Sequence, residues 1–195
     1  MSDWKQEVAE LAGHLAEAPQ IAPEEIPDID LYMDQLTTFL DKRLSFYSRE
    51  EGGAFVTGAM VNNYSKAHLL PPPVHKRYHK AHVMLLSLVC QLKRVLSMQD
   101  LGRLLAPVEE EGDAAGLYEM FLAAQKEVFA GTPQEAERLM DGLDRFSQED
   151  GARAKAALAA QLAVRAQRDV MLAEAILDTL ERPEEASRRG GKTKK

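Results

Sequence analysis

The sequence predicts a mostly α-helical protein of 195 residues. Ala, Leu, Glu, Gln and Arg are plentiful and aromatics make up only 6%, a balance that favours helix over sheet. Apolar residues recur at three- and four-residue spacing, and prolines and glycines punctuate those runs. With 45% apolar and 28% charged residues the chain has enough material for a core. A single cysteine, Cys90, excludes a disulfide framework and a cysteine-based zinc site.

The elements follow in order. Trp4, Val8, Leu11 and Leu15 form a stripe for an N-terminal helix that ends near Pro19, and APQIAPEEIP reads as a linker. Asp28 or Asp30 is placed to cap the next helix, whose stripe is Leu31, Leu36, Phe39, Leu40 and Leu44. Residues 54–70 read as a helix with Thr57 as N-cap and Met60, Val61 and Tyr64 facing inward. Pro71, Pro72 and Pro73 forbid helix, and VHKRY reads as a short strand or one side of a wing. Leu85, Leu88, Val89, Leu92 and Val95 or Leu96 mark one face of another helix. Ser97 to Asp100 is a capping-box-like restart, and Leu101, Leu104 and Leu105 pack before Pro107.

The rest reads as helix. Leu117, Met120, Phe121, Ala124 and Val128 define one that ends at Gly131, and Thr132-Pro133-Gln134-Glu135 is a full capping box for the next. Ala136, Leu139, Met140, Leu143 and Phe146 continue its stripe. A long helix over 152–182 places Leu158, Leu162, Asp169, Leu172, Ile176 and Leu180 near one face, and the basic residues 186–195 read as disordered. The expected organisation is an N-terminal helix and linker (1–27), a central domain (28–107), a C-terminal helical region for dimerisation or effector binding (108–185), and the tail.

Charge is unevenly placed. The net charge is −7, yet residues 52–99 contain no Asp or Glu while Lys66, Lys76, Arg77, Lys80, Lys93 and Arg94 supply +6. Four of the five histidines, His68, His75, His79 and His82, lie in the same stretch. A local positive field in an acidic protein fits a nucleic-acid-binding module joined to a differently employed body. The plainer alternative is a buried apolar segment that has no need of acids.

From 57 to 105 the order is helix, tight turn, stiff proline segment, short basic extended piece and two helices, which is the order of a winged helix-turn-helix. On its candidate recognition helix, Asn62 and Lys66 share a face, with Asn63 beside them. Asn pairs in a bidentate way with adenine, and Lys reaches guanine or phosphate. His75, Lys76 and Arg77 form a compact cluster for phosphate contact, with Lys80 close behind.

MVNNYSKAHLL, then KRY, then HVMLLSLVCQLKRVLSMQDLGRLL together resemble the DNA-binding domain of MerR-type regulators. Tyr64 matches an aromatic of that pattern, Leu69-Leu70 its leucine doublet, Arg77-Tyr78 the wing end, and Leu96-Ser97-Met98 the step into the last helix. IPDIDLYMDQ with MVNNYSKAHLLPPPVHKRY is also similar to a bacterial domain-of-unknown-function family placed in that superfamily. The likeness covers residues 26–107. It departs where MerR-type regulators carry a DNA-contacting Arg and this chain has Asn62, and the wing lacks the usual Asn-Gly turn.

The expectation is therefore a MerR-like winged helix-turn-helix domain with a helical C-terminal extension, acting as a transcriptional regulator on double-stranded DNA. The expected assembly is a homodimer, with an unknown small-molecule effector as a further candidate partner. Thr57, Asn62, Asn63, Lys66, His75, Lys76, Arg77 and Lys80 are the expected DNA-contacting residues. The competing class is a protein-interaction adaptor that keeps the fold without binding DNA. A histidine metal site built on His75, His79 and His82 finds no carboxylate in the stretch. No phosphate loop, serine elbow or His-Glu zinc motif points to an enzyme, so no metal, cofactor or catalytic residue is expected. The acid-bearing N-terminus lacks an apolar stretch, and the run over 81–92 is too short to span a bilayer, so a cytoplasmic protein with no membrane partner is expected.

Overall fold

A computed structural model describes residues 3–49, 53–108, 111–143 and 151–180. Among them the helices are α1 (Asp3–Ala16), α2 (Met33–Leu44), α3 (Gly58–Lys66), α4 (Lys80–Leu92), α5 (Met98–Leu105), α6 (Glu111–Ala130), α7 (Thr132–Asp141) and α8 (Gly151–Leu177). No extended strand occurs among the described residues; two isolated antiparallel bridges, Leu31 to Tyr78 and Val74 to Arg77, are found where VHKRY is expected to form a short strand or one side of a wing. The chain is mostly helical, as expected. None of the described helices is long and apolar enough to cross a membrane.

The chain divides into two compact units. One comprises the chain through Ala18 with Ala123–Met171; the other comprises Pro19–Leu122 with the residues from Leu172. The central domain expected over 28–107 lies within the second unit, which starts earlier and takes in the first part of α6.

That second unit is organised around α4. Its residues 81–90 are buried without a break, so the one-sided stripe expected for this helix is replaced by burial all round, as for a helix that runs through a core. Leu36, Leu40 and Leu44 of α2, Val61 and Tyr64 of α3, Leu101 and Leu105 of α5, Ala114 and Tyr118 of α6 and Leu177 of α8 belong to the same core. Two caps behave as their sequences predict. The Thr57 hydroxyl oxygen accepts the Met60 N–H at 3.3 Å to start α3, and Ser97 Oγ accepts the Asp100 N–H at 3.1 Å to start α5. One polar group in this core is paired across elements: the Tyr118 hydroxyl donates to the Ile21 carbonyl at 2.9 Å and lies 3.4 Å from Ser87 Oγ.

Asp28 and Asp30 do not cap α2. Its N-cap is Tyr32, whose N–H is taken by the Gln35 side chain at 2.9 Å. Leu31 is buried but sits in a bridge before the helix rather than on its stripe.

The first unit has a smaller core of Trp4, Leu139, Met140, Leu143, Ala154 and Leu158. Gly151 lets α8 begin against the indole: a Cβ there would lie 3.2 Å from Trp4 Cδ1. On α1 the buried positions are Trp4 and Ala12, with Val8 packed against the core, while Leu11 and Leu15 are exposed, so the stripe runs at steps of four. The capping box at Thr132 does not form. A single residue, Gly131, joins α6 to α7 and serves as N-cap, and the Glu135 carboxylate turns instead to Arg138 and Arg165. The Arg138 guanidinium beside it, with Arg165 adding, holds that carboxyl below its ordinary range. Phe146 and the tail over 186–195 lie outside the described residues.

The expected faces of the last helices are also revised. On α6, Met120 and Val128 are exposed and Ala114 and Tyr118 buried; on α8, Leu162, Leu172 and Ile176, with Leu180 just beyond, are exposed, and Ala154, Leu158 and Leu177 are buried. All are apolar at helical spacing, so the pattern alone does not separate a buried face from an exposed one.

Burial of α4 has a chemical consequence. Cys90 is fully enclosed, and burial pushes its thiol up to about 11 against a smaller opposing pull from Lys93. At pH 8 the native protein is expected to resist a disulfide exchange reagent such as dithionitrobenzoate and to release one thiol equivalent only on denaturation. Rapid labelling of the native protein would contradict the buried α4.

Candidate nucleic-acid interface

On α3 the buried positions are Val61 and Tyr64; Ala59, Asn62, Asn63 and Lys66 are exposed. Their spacing is that of one helical face. Small and medium polar side chains therefore line the solvent side, with Lys66 in the last turn. Thr57 is half-buried, and its oxygen is engaged as the N-cap.

The chain leaves α3 through His68, in the left-handed region at φ 56°, and Leu69 N–H returns to the Tyr64 carbonyl at 3.0 Å. Leu69 and Leu70 are buried, and the three prolines lead into a tight turn. There Val74 pairs with Arg77, and both residues between them, His75 (φ 50°) and Lys76 (φ 63°), have positive φ. Two left-handed residues across a two-residue connection are the mark of a type I′ turn, which ordinarily selects Asn-Gly. Here it is built from two residues with Cβ atoms, at a cost of order 1 kcal/mol or more each. Both side chains are exposed.

The turn is fixed at its base. Tyr78 N–H donates to the Leu31 carbonyl at 2.9 Å and Leu31 N–H to the Tyr78 carbonyl at 3.0 Å. Buried His82 ties the proline segment to α4. Its Nδ1 accepts the His79 N–H at 3.0 Å, so Nε2 carries the proton and donates to the Pro71 carbonyl at 3.1 Å. In effect His82 does at N3 what Glu does in a capping box.

The turn and α3 both meet the start of α2. The Arg77 guanidinium lies 5.3 Å from the centre of the Tyr32 ring, and the next residue, Met33, packs on Gly58, the first residue of α3. At the other end of α3, Leu69, Leu70 and Val74 line a common cavity.

The six cations of the acid-free stretch fall into two groups. Lys80 pairs with Asp28 at 2.9 Å; Lys93 lies over the Phe55 and Tyr64 rings, at 5.5 and 5.9 Å; Arg94 donates to the Tyr47 carbonyl at 2.5 Å. His79 pairs with Asp30 at 2.5 Å. These carboxylates come from the segment before α2, well ahead of the stretch in sequence, so the basic surface is smaller than sequence counting suggests. Lys66, Lys76 and Arg77 remain, with no carboxylate or carbonyl partner for their side chains among the described residues. The expected contact residues thus divide into an exposed set on α3 and the turn, the half-buried cap Thr57, and Lys80, whose charge is already matched. Tyr32, which orients Arg77, has no charge pattern to announce it. The IPDIDLY segment did carry a signal for Asp28 and Asp30: two acids two residues apart, leading into the extended Leu31.

Among the described residues no group of three or more His, Cys, Asp or Glu side chains is arranged to hold a metal.

Replacing the turn by the double substitution His75→Asn/Lys76→Gly should relieve the left-handed strain and raise unfolding stability by about 1–2 kcal/mol in urea titration. An unchanged or lowered midpoint would contradict the turn geometry.

Comparison with curated proteins and with solved structures finds no match. A family profile described as a domain of unknown function (DUF1836) matches residues 21–121, nearly the bounds of the Pro19–Leu122 segment of the second unit. The match spans just over half of the sequence, and the chain belongs to that family.

Proposed function

We propose that this protein binds double-stranded DNA through α3 and the 74–77 turn, as a MerR-like winged helix-turn-helix transcriptional regulator working as a homodimer. The observation that carries the proposal is the division of charge. Lys80 is engaged by a carboxylate, Arg94 by a carbonyl and half-buried Lys93 by two aromatic rings, while the exposed Lys66, Lys76 and Arg77 have no carboxylate or carbonyl partner among the described residues, Arg77 lying over the Tyr32 ring. Exposed positive charge without a carboxylate partner is what phosphate contact requires.

In this reading α3 enters the major groove with Asn62, Asn63 and Lys66 towards base edges, the pairing that suits Asn being adenine. The turn takes the place of the wing: His75 and Lys76 reach the backbone, and Tyr32 holds Arg77 in a fixed direction towards phosphate. Thr57, as the cap of α3, and Lys80, already paired with Asp28, have supporting roles. Strain kept at an exposed turn, where Asn-Gly would be cheaper, is consistent with side chains retained for contact. Exposed apolar residues on α8, among them Leu172 and Ile176, supply material for pairing two copies, which would present two half-sites.

Fluorescence anisotropy against duplexes selected from a random pool tests this. Lys76→Ala should weaken binding to all sequences alike and flatten the salt dependence by about one phosphate contact. Asn62→Ala should instead reduce discrimination at one base position, by about 1–3 kcal/mol. Equal losses on all sequences for both variants would remove the base-reading role of α3. No binding to any duplex at low salt would overturn the proposal in favour of a protein-interaction adaptor.

A further inference from the structure

We infer that the second unit holds a ligand site of its own, for a small organic acid with an apolar body, in the open cavity lined by the proline segment, the turn, α4 and α5. The cavity has a volume of about 460 Å³, within the range of small-molecule pockets. Its walls are apolar: Leu70, Pro72, Val74, Leu85, Leu105 and Val108 are among them. Its polar lining consists of three histidines, His68, His79 and His82, and includes no carboxylate.

These histidines are not equivalent. His82 has Nδ1 on the His79 N–H and Nε2 on the Pro71 carbonyl, so it presents a ring to the cavity. In its protonated form His79 donates Nδ1–H to Asp30, which leaves Nε2–H to donate to an incoming acceptor. His68 is exposed, and among the described residues neither of its ring nitrogens has a partner. An acidic group placed between His68 and His79 Nε2 gains hydrogen bonds of the charge-assisted kind. An ammonium group in the same place would find no anion in the lining, and a sugar would leave most of its hydroxyls against Leu, Pro and Val side chains. The first turn of α4 also lines the cavity and carries no acid, so the helix dipole there has the same sign preference.

The position of the cavity gives such a ligand a regulatory reach. Leu69 and Leu70, at the exit of α3, and Val74, at the base of the turn, are parts of one wall. Occupancy therefore touches both pieces of the proposed DNA-binding face. This coupling rests on the DNA-binding proposal; the site itself does not.

Calorimetric titration of the full chain with phenylacetate, phenylacetamide and phenethylamine tests the site without DNA. The acid is expected to bind about tenfold or more tightly than the amide, the gain of a charge-assisted hydrogen bond, and the amine not at all. His68→Gln, at an exposed position, should remove most of the preference for acid over amide while leaving amide binding and the melting temperature unchanged. Leu85→Trp should fill the cavity and abolish binding of both. Equal binding of acid and amide, tighter binding of the amine, or no binding of any of them at millimolar concentration would overturn the site. Acid binding that leaves duplex affinity unchanged would remove the coupling alone. Acid binding by a protein that binds no duplex would uphold the site and remove the DNA proposal instead.

Discussion

A helix buried on every side constrains everything around it. Residues 81–90 of α4 have no solvent face, so each neighbouring element must cover part of its circumference and no one of them is free to move independently. The start of such a helix cannot rely on water for its unpaired N–H groups. His82 supplies the missing acceptor from within the helix, and with its other nitrogen it holds the proline segment. The same side chain thus completes the central helix and anchors the loop that carries the turn. The position of the turn relative to α4 is in this way a consequence of core formation.

The same economy governs charge. Burying α4 requires its flanks to be free of unmatched ions, and the carboxylates of Asp28 and Asp30 serve the two basic residues at its N-terminus, His79 and Lys80. Lys93 and Arg94, just after the helix, turn to aromatic rings and to a backbone carbonyl. The exposed cations left without a carboxylate or carbonyl belong to α3 and the turn. The left-handed pair His75-Lys76 adds an independent sign that this part of the chain is kept for something other than stability. The family match covers the Pro19–Leu122 segment of this unit and stops near its edge, so the segment with the exposed cations is also the one that the family shares.

Much of this fold is legible in the sequence, for identifiable reasons. Local rules act through neighbouring residues, so Thr57 and Ser97 announce their caps, and the proline run announces the loss of helix after Leu70. The division of each helix into faces was less legible. Leu11, Leu162, Leu172 and Ile176 follow helical spacing but are exposed, because the stripe that is buried depends on which neighbour lies opposite. Asp28, Asp30 and Glu135 look like caps and act as ion-pair partners of residues distant in sequence. The exposed face of α3 could be read from spacing. The partition of the cations, the stacking of Arg77 on Tyr32 and the cavity beneath the turn could not, since each depends on contacts that no local pattern encodes.

The most direct measurement is a backbone amide NMR titration of the full chain with a selected duplex at low salt. If the face held by α4 is the binding surface, the resonances of Asn62, Asn63, Lys66, Lys76 and Arg77 shift together along one saturating isotherm, while those of 83–90 in the centre of α4 stay in place. Perturbations confined to α1, α7 or the first half of α8, or a spectrum that the duplex leaves unchanged, would contradict it.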